Sequence, residues 1–204
     1  MRGAWVGLGL VGQAVGMFAV TNIDDLLVLT LFFGQAAGHR GAVARVVAGQ
    51  YLGFGVILAA SVAGAYGARL LPSGVLPYLG VVPLALGLGA AWTGRRGGWD
   101  GERPPAVSAP AGPGLWQVAA VTVASGGDNI GVYVPVFAAA GATGISVYTA
   151  VFVVGVGVWC ASARYLSTRP VIANALARWG HVLLPVVLIG IGLIILIDGG
   201  AFGL

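Results

Sequence analysis

Hydrophobic residues along the chain gather into six long blocks, at 4–36, 43–67, 75–92, 115–140, 144–166 and 181–198. A bilayer core about 30 Å thick is crossed by about 20 apolar residues in a helix. Each block is therefore read as one membrane-spanning helix. The first block is too long for one straight span, because its 33 residues at about 1.5 Å each reach about 50 Å. It is expected to be tilted, broken or preceded by an interfacial turn.

The polar connections divide these blocks into two sets of three. Residues 93–113 carry Arg95, Arg96, Asp100, Glu102, Arg103 and four prolines, a Pro/Gly-rich linker with no reason to pack. The expected units are a three-helix repeat over 1–92, a cytoplasmic linker over 93–113 and a second three-helix repeat over 114–204. A further polar stretch, 167–180, joins the fifth and sixth blocks, and its Ala173–Trp179 run suits a short interfacial helix.

Composition strengthens this picture. Of 204 residues, 58% are hydrophobic and 8% charged, with 36 glycines. Soluble domains carry about 25% charged residues, so too few polar side chains exist here to face water. Nucleic-acid binding and most soluble enzyme classes are excluded, and the lipid bilayer is the expected surrounding. The chain opens Met1-Arg2-Gly3 and its apolar run continues past the length of a signal-peptide core, so the first helix is expected to be retained. A single cysteine, Cys160, allows no intrachain disulfide and reads as a small hydrophobe.

All ten basic residues are arginines, and eight lie in the connections after the first, third and fifth blocks. Only Arg2 and Arg69 lie on the other side. By the positive-inside rule the eight are cytoplasmic and both termini lie outside. Trp5, Trp92, Trp116 and Trp179 stand near block ends, as an aromatic belt requires.

The chain also repeats itself. Thr21-Asn22-Ile23-Asp24-Asp25-Leu26 corresponds to Ser125-Gly126-Gly127-Asp128-Asn129-Ile130 at an offset of 104. Gly53-Phe54-Gly55-Val56 corresponds to Gly155-Val156-Gly157-Val158 at 102, and Leu79 through Leu88 corresponds to Leu184 through Leu193 at 105. Three matches in order at nearly one offset indicate duplication. With three spans per copy, the second enters the membrane from the opposite side, the inverted arrangement of many secondary transporters.

Three carboxylates fall deep inside these blocks: Asp24, Asp25 and Asp128. An aspartate at a helix centre costs about 2.5–3.5 kcal/mol, and no intramembrane Lys or Arg is available as a partner. Binding a metal ion or protons explains their presence. Adjacent Asp24 and Asp25 point about 100° apart on an intact helix, so local unwinding is expected to let them converge and to free backbone carbonyls. Gly126 and Gly127 supply the matching helix break before Asp128. Asn22 and Asn129 add further oxygen ligands, with Thr21, Ser125 and Gln50 supporting them. The alternative is that the Asp and Asn side chains only cap broken helices. His39 and His181 are read as interfacial residues.

These motifs carry a resemblance. Ala19-Val20-Thr21-Asn22-Ile23-Asp24-Asp25 followed by Leu31-Phe32-Phe33-Gly34, and Ser125 through Pro135, resemble the first- and fourth-helix signatures of the bacterial cadmium resistance transporter family. Leu79 through Leu84 and Leu183 through Gly190 resemble its third and sixth helices. That family is placed in the lysine exporter superfamily. The resemblance implies two inverted three-helix repeats and efflux of Cd²⁺, with Zn²⁺ as a further cargo, across the bacterial plasma membrane. It also implies metal ligation by Asp24, Asp25, Asp128 and Asn129.

The sequence thus predicts an all-α polytopic membrane protein of six transmembrane helices, helices one and four broken at acidic motifs, acting as a cation exporter. It has no nucleotide motif, so protons are the expected coupling ion and no resident cofactor is expected. An all-oxygen site suits harder ions such as Mn²⁺ better than Cd²⁺. Export of an amino acid or a quaternary ammonium compound is a further alternative. An intramembrane aspartyl protease is disfavoured, since Ser125 stands where its Gly-x-Gly-Asp motif has the first glycine. The glycine faces allow a homodimer, though the same glycines can pack helices within one subunit.

Overall fold

The computed structural model describes residues 2–68, 70, 78–79, 81–95, 112–169, 186 and 189–197. Among these there is no strand. Six helices follow in order: α1 (Arg2–Thr21), α2 (Ile23–Ala36), α3 (Ala42–Ala68), α4 (Val81–Arg95), α5 (Leu115–Ser125) and α6 (Gly127–Leu166). Residues 189–197 are helical as well.

The first apolar block is broken. α1 and α2 meet at Asn22, and the segments Gly9–Thr21 and Ile23–Ala36 are bent by 58°. The fourth block is broken in the same way, with α5 ending at Ser125 and α6 starting at Gly127 across Gly126. Asn22 and Gly126 are the positions that the 104-residue offset pairs. The fifth block follows without a loop: α6 continues to Leu166, interrupted only at Gly141, where φ is 72° and ψ is 179°. That conformation is essentially confined to glycine. At the corresponding corner after α2, Gly38 also has a positive φ of 80°.

α3 matches its expected bounds within a residue at each end. Together with α6 it is long and apolar enough to cross a membrane, and the bent α1–α2 pair makes a third candidate span. Hydroxyls inside these helices are satisfied locally: Thr30 donates to Leu26 O and Ser61 to Ile57 O. Such i−4 bonding lets a polar side chain sit in an apolar helix. Outward-facing Leu31, Val56, Val154 and Val158 leave an apolar exterior suited to lipid.

The core is aromatic and central. Phe18, Phe54, Tyr133, Phe137, Tyr148 and Phe152 form a connected set of ring contacts at centroid distances of 4.9–6.4 Å. Glycines allow the helices to close around it. At Gly53 a side chain would meet Ala119 O and Thr122 Cβ, each at 2.7 Å, and at Gly49 it would meet Leu115 O at 2.6 Å, so α3 lies directly on α5. At Gly155 of α6 a side chain would likewise meet the ring of Phe18 in α1 at 2.7 Å. The contact pairs Gly53–Thr122 and Gly155–Phe18 are related by the repeat offsets, each helix meeting a half-helix of the other unit.

The linker's last residues are pinned to α3, where Arg45 Nε donates to Pro113 O at 3.1 Å. α4 extends to Arg95, so the first residues expected in the linker are helical. The rest of the linker to Ala111, the expected interfacial helix at 173–179, His181, and all of the sixth block except 186 and 189–197 lie outside the described residues.

Candidate metal-ion site

Two half-helix starts meet at the centre of the described structure. Ile23 and Gly127 open α2 and α6, so Asp24 and Asp128 occupy the second helical position of each, while Asp25 and Asn129 occupy the third. Helix N-termini favour negative charge because their first amides are unpaired. This partly replaces the Lys or Arg counter-ion that the apolar blocks lack.

Asp25 is buried and bonded across to the second unit. Its Oδ1 accepts from Ser125 Oγ at 2.9 Å, and its Oδ2 accepts from Gln50 Nε2 at 3.4 Å. Gln50 in turn accepts from Thr122 Oγ1 at 2.6 Å through its Oε1. All three hydroxyl and amide partners therefore lie on α3 and α5, the helices closed together at Gly49 and Gly53.

Asp24 and Asp128 differ from Asp25. Both are exposed, and among the described residues no side chain donates a hydrogen bond to either. Asp128 Oδ1 accepts only the backbone amide of Asn129, at 2.9 Å. The three carboxylates nevertheless stand within electrostatic range of one another, Asp128 acting on both Asp24 and Asp25.

The break at Asn22 is held by a second network. Asn22 Nδ2 donates to Phe18 O at 2.8 Å and to Tyr133 Oη at 2.9 Å, with Thr21 Oγ1 also 3.0 Å away. Thr21 Oγ1 donates to Met17 O at 2.9 Å and can accept from Tyr133 Oη, also at 2.9 Å. Asn129 Nδ2 donates to Asn22 Oδ1 at 3.4 Å, joining the two motifs directly. The Asn129 side-chain oxygen, Oδ1, by contrast, accepts no hydrogen bond among the described residues although the residue is only 3% exposed. A buried acceptor without a donor calls for a ligand or water.

Two expectations require correction. Asp24 and Asp25 do not converge: the break falls at Asn22, two residues before Asp24, so both aspartates sit on the intact start of α2, one exposed and one buried. Gly127 is already helical, so the second break is at Gly126 alone. Asn22 makes no side-chain cap bond, and its amide is spent on Phe18 and Tyr133. Among the described residues no group of three or more His, Cys, Asp or Glu side chains converges in metal-binding geometry. What the fold does assemble is Asp25 bonded to Ser125 and Gln50, and Asn129 bonded to Asn22 and through it to Thr21 and Tyr133, with Asp24 and Asp128 exposed on the two helix starts.

Three participants were not singled out from the sequence: Tyr133, Thr122 and Trp159, whose Nε1 donates to Asn22 O at 2.6 Å. Tyr133 lies four residues after Asn129, on the same helix face. Trp159 is a tryptophan far from any block end, where its N–H must find a partner. Those were the available signals. Cys160 is buried, within electrostatic range of Asp25.

The family model of cadmium resistance transporters matches residues 18–204, which include both acidic motifs and both breaks. The chain belongs to that family. No curated protein and no solved structure matches it. Membership makes this cadmium resistance transporter family member a membrane transport protein for metal ions rather than an enzyme, in keeping with its apolar helices.

Proposed function

We propose that the chain is a secondary transporter that exports Cd²⁺, with Zn²⁺ as a further cargo, across the bacterial plasma membrane by exchange for protons. The observation that carries this is the meeting of two equivalent broken helices. Their acidic starts leave the repeat-related pair Asp24 and Asp128 without side-chain partners, beside a buried, donor-free Asn129 side-chain oxygen. In this reading Asp24, Asp128 and Asn129 are the primary oxygen ligands. Asp25 is held by Ser125 and Gln50 at the inner wall, contributing charge and the option of direct ligation.

The proposed architecture is two inverted three-helix repeats, 1–92 and 114–204, in six spans with both termini outside. Support comes from the paired breaks at Asn22 and Gly126, from the paired positive-φ corners at Gly38 and Gly141, and from the paired contacts Gly53–Thr122 and Gly155–Phe18. Tyr51 Oη donates to Val153 O at 3.2 Å. These two residues are mates at the 102 offset, as expected of a contact on a pseudo-twofold axis. Rocking of one repeat against the other around the shared site gives alternating access.

Export of a dication against 100 mV, inside negative, costs about 4.6 kcal/mol at about 2.3 kcal/mol per charge. Protons returning to the same carboxylates offset that cost. The donor set, made of oxygens, favours a second reading in which the cargo is a harder dication such as Mn²⁺.

The test is uptake of Cd²⁺, Zn²⁺ and Mn²⁺ into inside-out vesicles by wild type, Asp24→Asn and Asp128→Asn. Cadmium uptake lost in both variants supports the proposal, and uptake of manganese alone supports the second reading. Normal uptake by the variants removes the aspartate site.

A further inference from the structure

The 58° bend between α1 and α2 has a local side-chain restraint, the Asn22 amide on Phe18 O, and further restraints from distant residues. Asn22, at φ −115° and ψ 21°, makes no capping bond with its own side chain. Its carbonyl accepts from Leu26 N at 3.1 Å within α2, as any helix start does. The same carbonyl also accepts from the Trp159 indole at 2.6 Å, from a helix 137 residues away. The indole ring packs edge-on against Phe18, with centroids 5.2 Å apart. Phe18 is the residue whose carbonyl accepts both Asn22 N at 3.2 Å and Asn22 Nδ2 at 2.8 Å. Trp159 therefore touches the last turn of α1 with its ring and the turning residue with its N–H.

The second break is held in an equivalent way by the equivalent residue. Ile57, 102 positions before Trp159, places its Cδ1 against Gly126 and fills the space a side chain there would need. Each break is thus braced by the opposite unit, one by a hydrogen bond and one by a methyl group. Asp24 stands two residues after the braced carbonyl, on the first turn of α2.

We propose that Trp159 is a positioning residue for the carboxylate site: its bond to Asn22 O sets the angle at which α2 leaves α1, and with it the placement of Asp24 opposite Asp128. This rests on the reading of Asp24 as a cation ligand, while the bracing itself does not. Losing the N–H leaves Asn22 O its bond from Leu26 and the Asn22 side chain its bonds to Phe18 and Tyr133, so the turn survives, but the tie from its backbone to the far arm of α6 is gone.

The experiment replaces Trp159 with Phe and, separately, with 3-benzothienylalanine, which keeps the shape of the indole but lacks the N–H. Spin labels at Val11→Cys and Leu31→Cys, both exposed positions flanking the bend, in a Cys160→Ala background report the α1–α2 distance distribution. The expected result is a broadened or shifted distribution in both variants. For Cd²⁺ uptake into inside-out vesicles, KM should rise about two- to tenfold, the factor that one hydrogen bond of ordinary net strength represents, with kcat changed less. An unchanged distribution in the isosteric variant overturns the proposal, as does a shifted distribution with unchanged KM. If Asp24→Asn transports normally, the cation-ligand reading fails, and the distance measurement still decides whether Trp159 sets the bend.

Discussion

Ser125 donates its hydroxyl to Asp25 at 2.9 Å, so a residue of the second acidic motif holds a carboxylate of the first. The bond crosses between two segments a hundred residues apart and ends on a side chain that is 3% exposed. A charged acceptor in such surroundings depends on its donors.

Ser125→Ala is accordingly expected to destabilise the protein by about 1.5–3 kcal/mol, the range for a hydrogen bond to a charged group. Ser125→Thr, which keeps the hydroxyl, should recover most of that loss. Thermal unfolding in detergent reads both, and an unchanged melting temperature for the alanine variant would show that Asp25 is neutral or otherwise satisfied.

Asp24→Asn and Asp128→Asn should separate transport from stability. Neither carboxylate receives a side-chain hydrogen bond, so folding should be retained, while export falls about tenfold or more, a loss of at least about 1.4 kcal/mol in cation binding. Asp25→Asn, which disturbs the bonds to Ser125 and Gln50, should lower both. Cation uptake and melting temperature measured on the same preparations make the comparison.

The two glycines of the Gly53-Phe54-Gly55 segment should respond differently to alanine. At Gly53 the new Cβ would stand 2.7 Å from Ala119 O and from Thr122 Cβ, whereas at Gly55 nothing lies within 4 Å. Gly53→Ala should cost about 1–3 kcal/mol by forcing α3 off α5, and Gly55→Ala should stay within about 0.5 kcal/mol of wild type. Equal effects would mean that the α3–α5 contact does not persist in the membrane.

Proton exchange predicts a direction. In inside-out vesicles, where the lumen corresponds to the cell exterior, an acidic lumen should accelerate uptake of the cation and a protonophore should abolish the acceleration. Uptake indifferent to both would leave the membrane potential or another ion as the driving force.

Much of the helical layout was legible because lipid imposes a simple requirement on sequence. The apolar block at 43–67 became α3, and a stretch longer than one span had to be tilted or broken. Aspartates in apolar blocks marked the candidate site for the same reason, their cost, although only Asp25 of the three is buried. The exact place of the first break was not legible. It falls on Asn22 rather than at the Asp24-Asp25 pair because the Asn22 amide and carbonyl find partners in Tyr133 and Trp159, more than a hundred residues away. Likewise, nothing local distinguishes Asp24 from Asp25; which of them is buried depends on Ser125 and Gln50 lying on one side of α2.

The corner at Gly141 makes one hairpin of two arms, with Asp128 at the start of one and Trp159 on the other. There is no intervening loop to take up slack, only a single residue of unusual backbone. If Asp128 holds a cation as proposed, the load falls on one arm of a helical pair whose other arm is bonded to the opposite acidic motif at Asn22. A displacement of Asp128 would then reach the start of α2, which carries Asp24, through the backbone of that pair rather than through the carboxylates themselves.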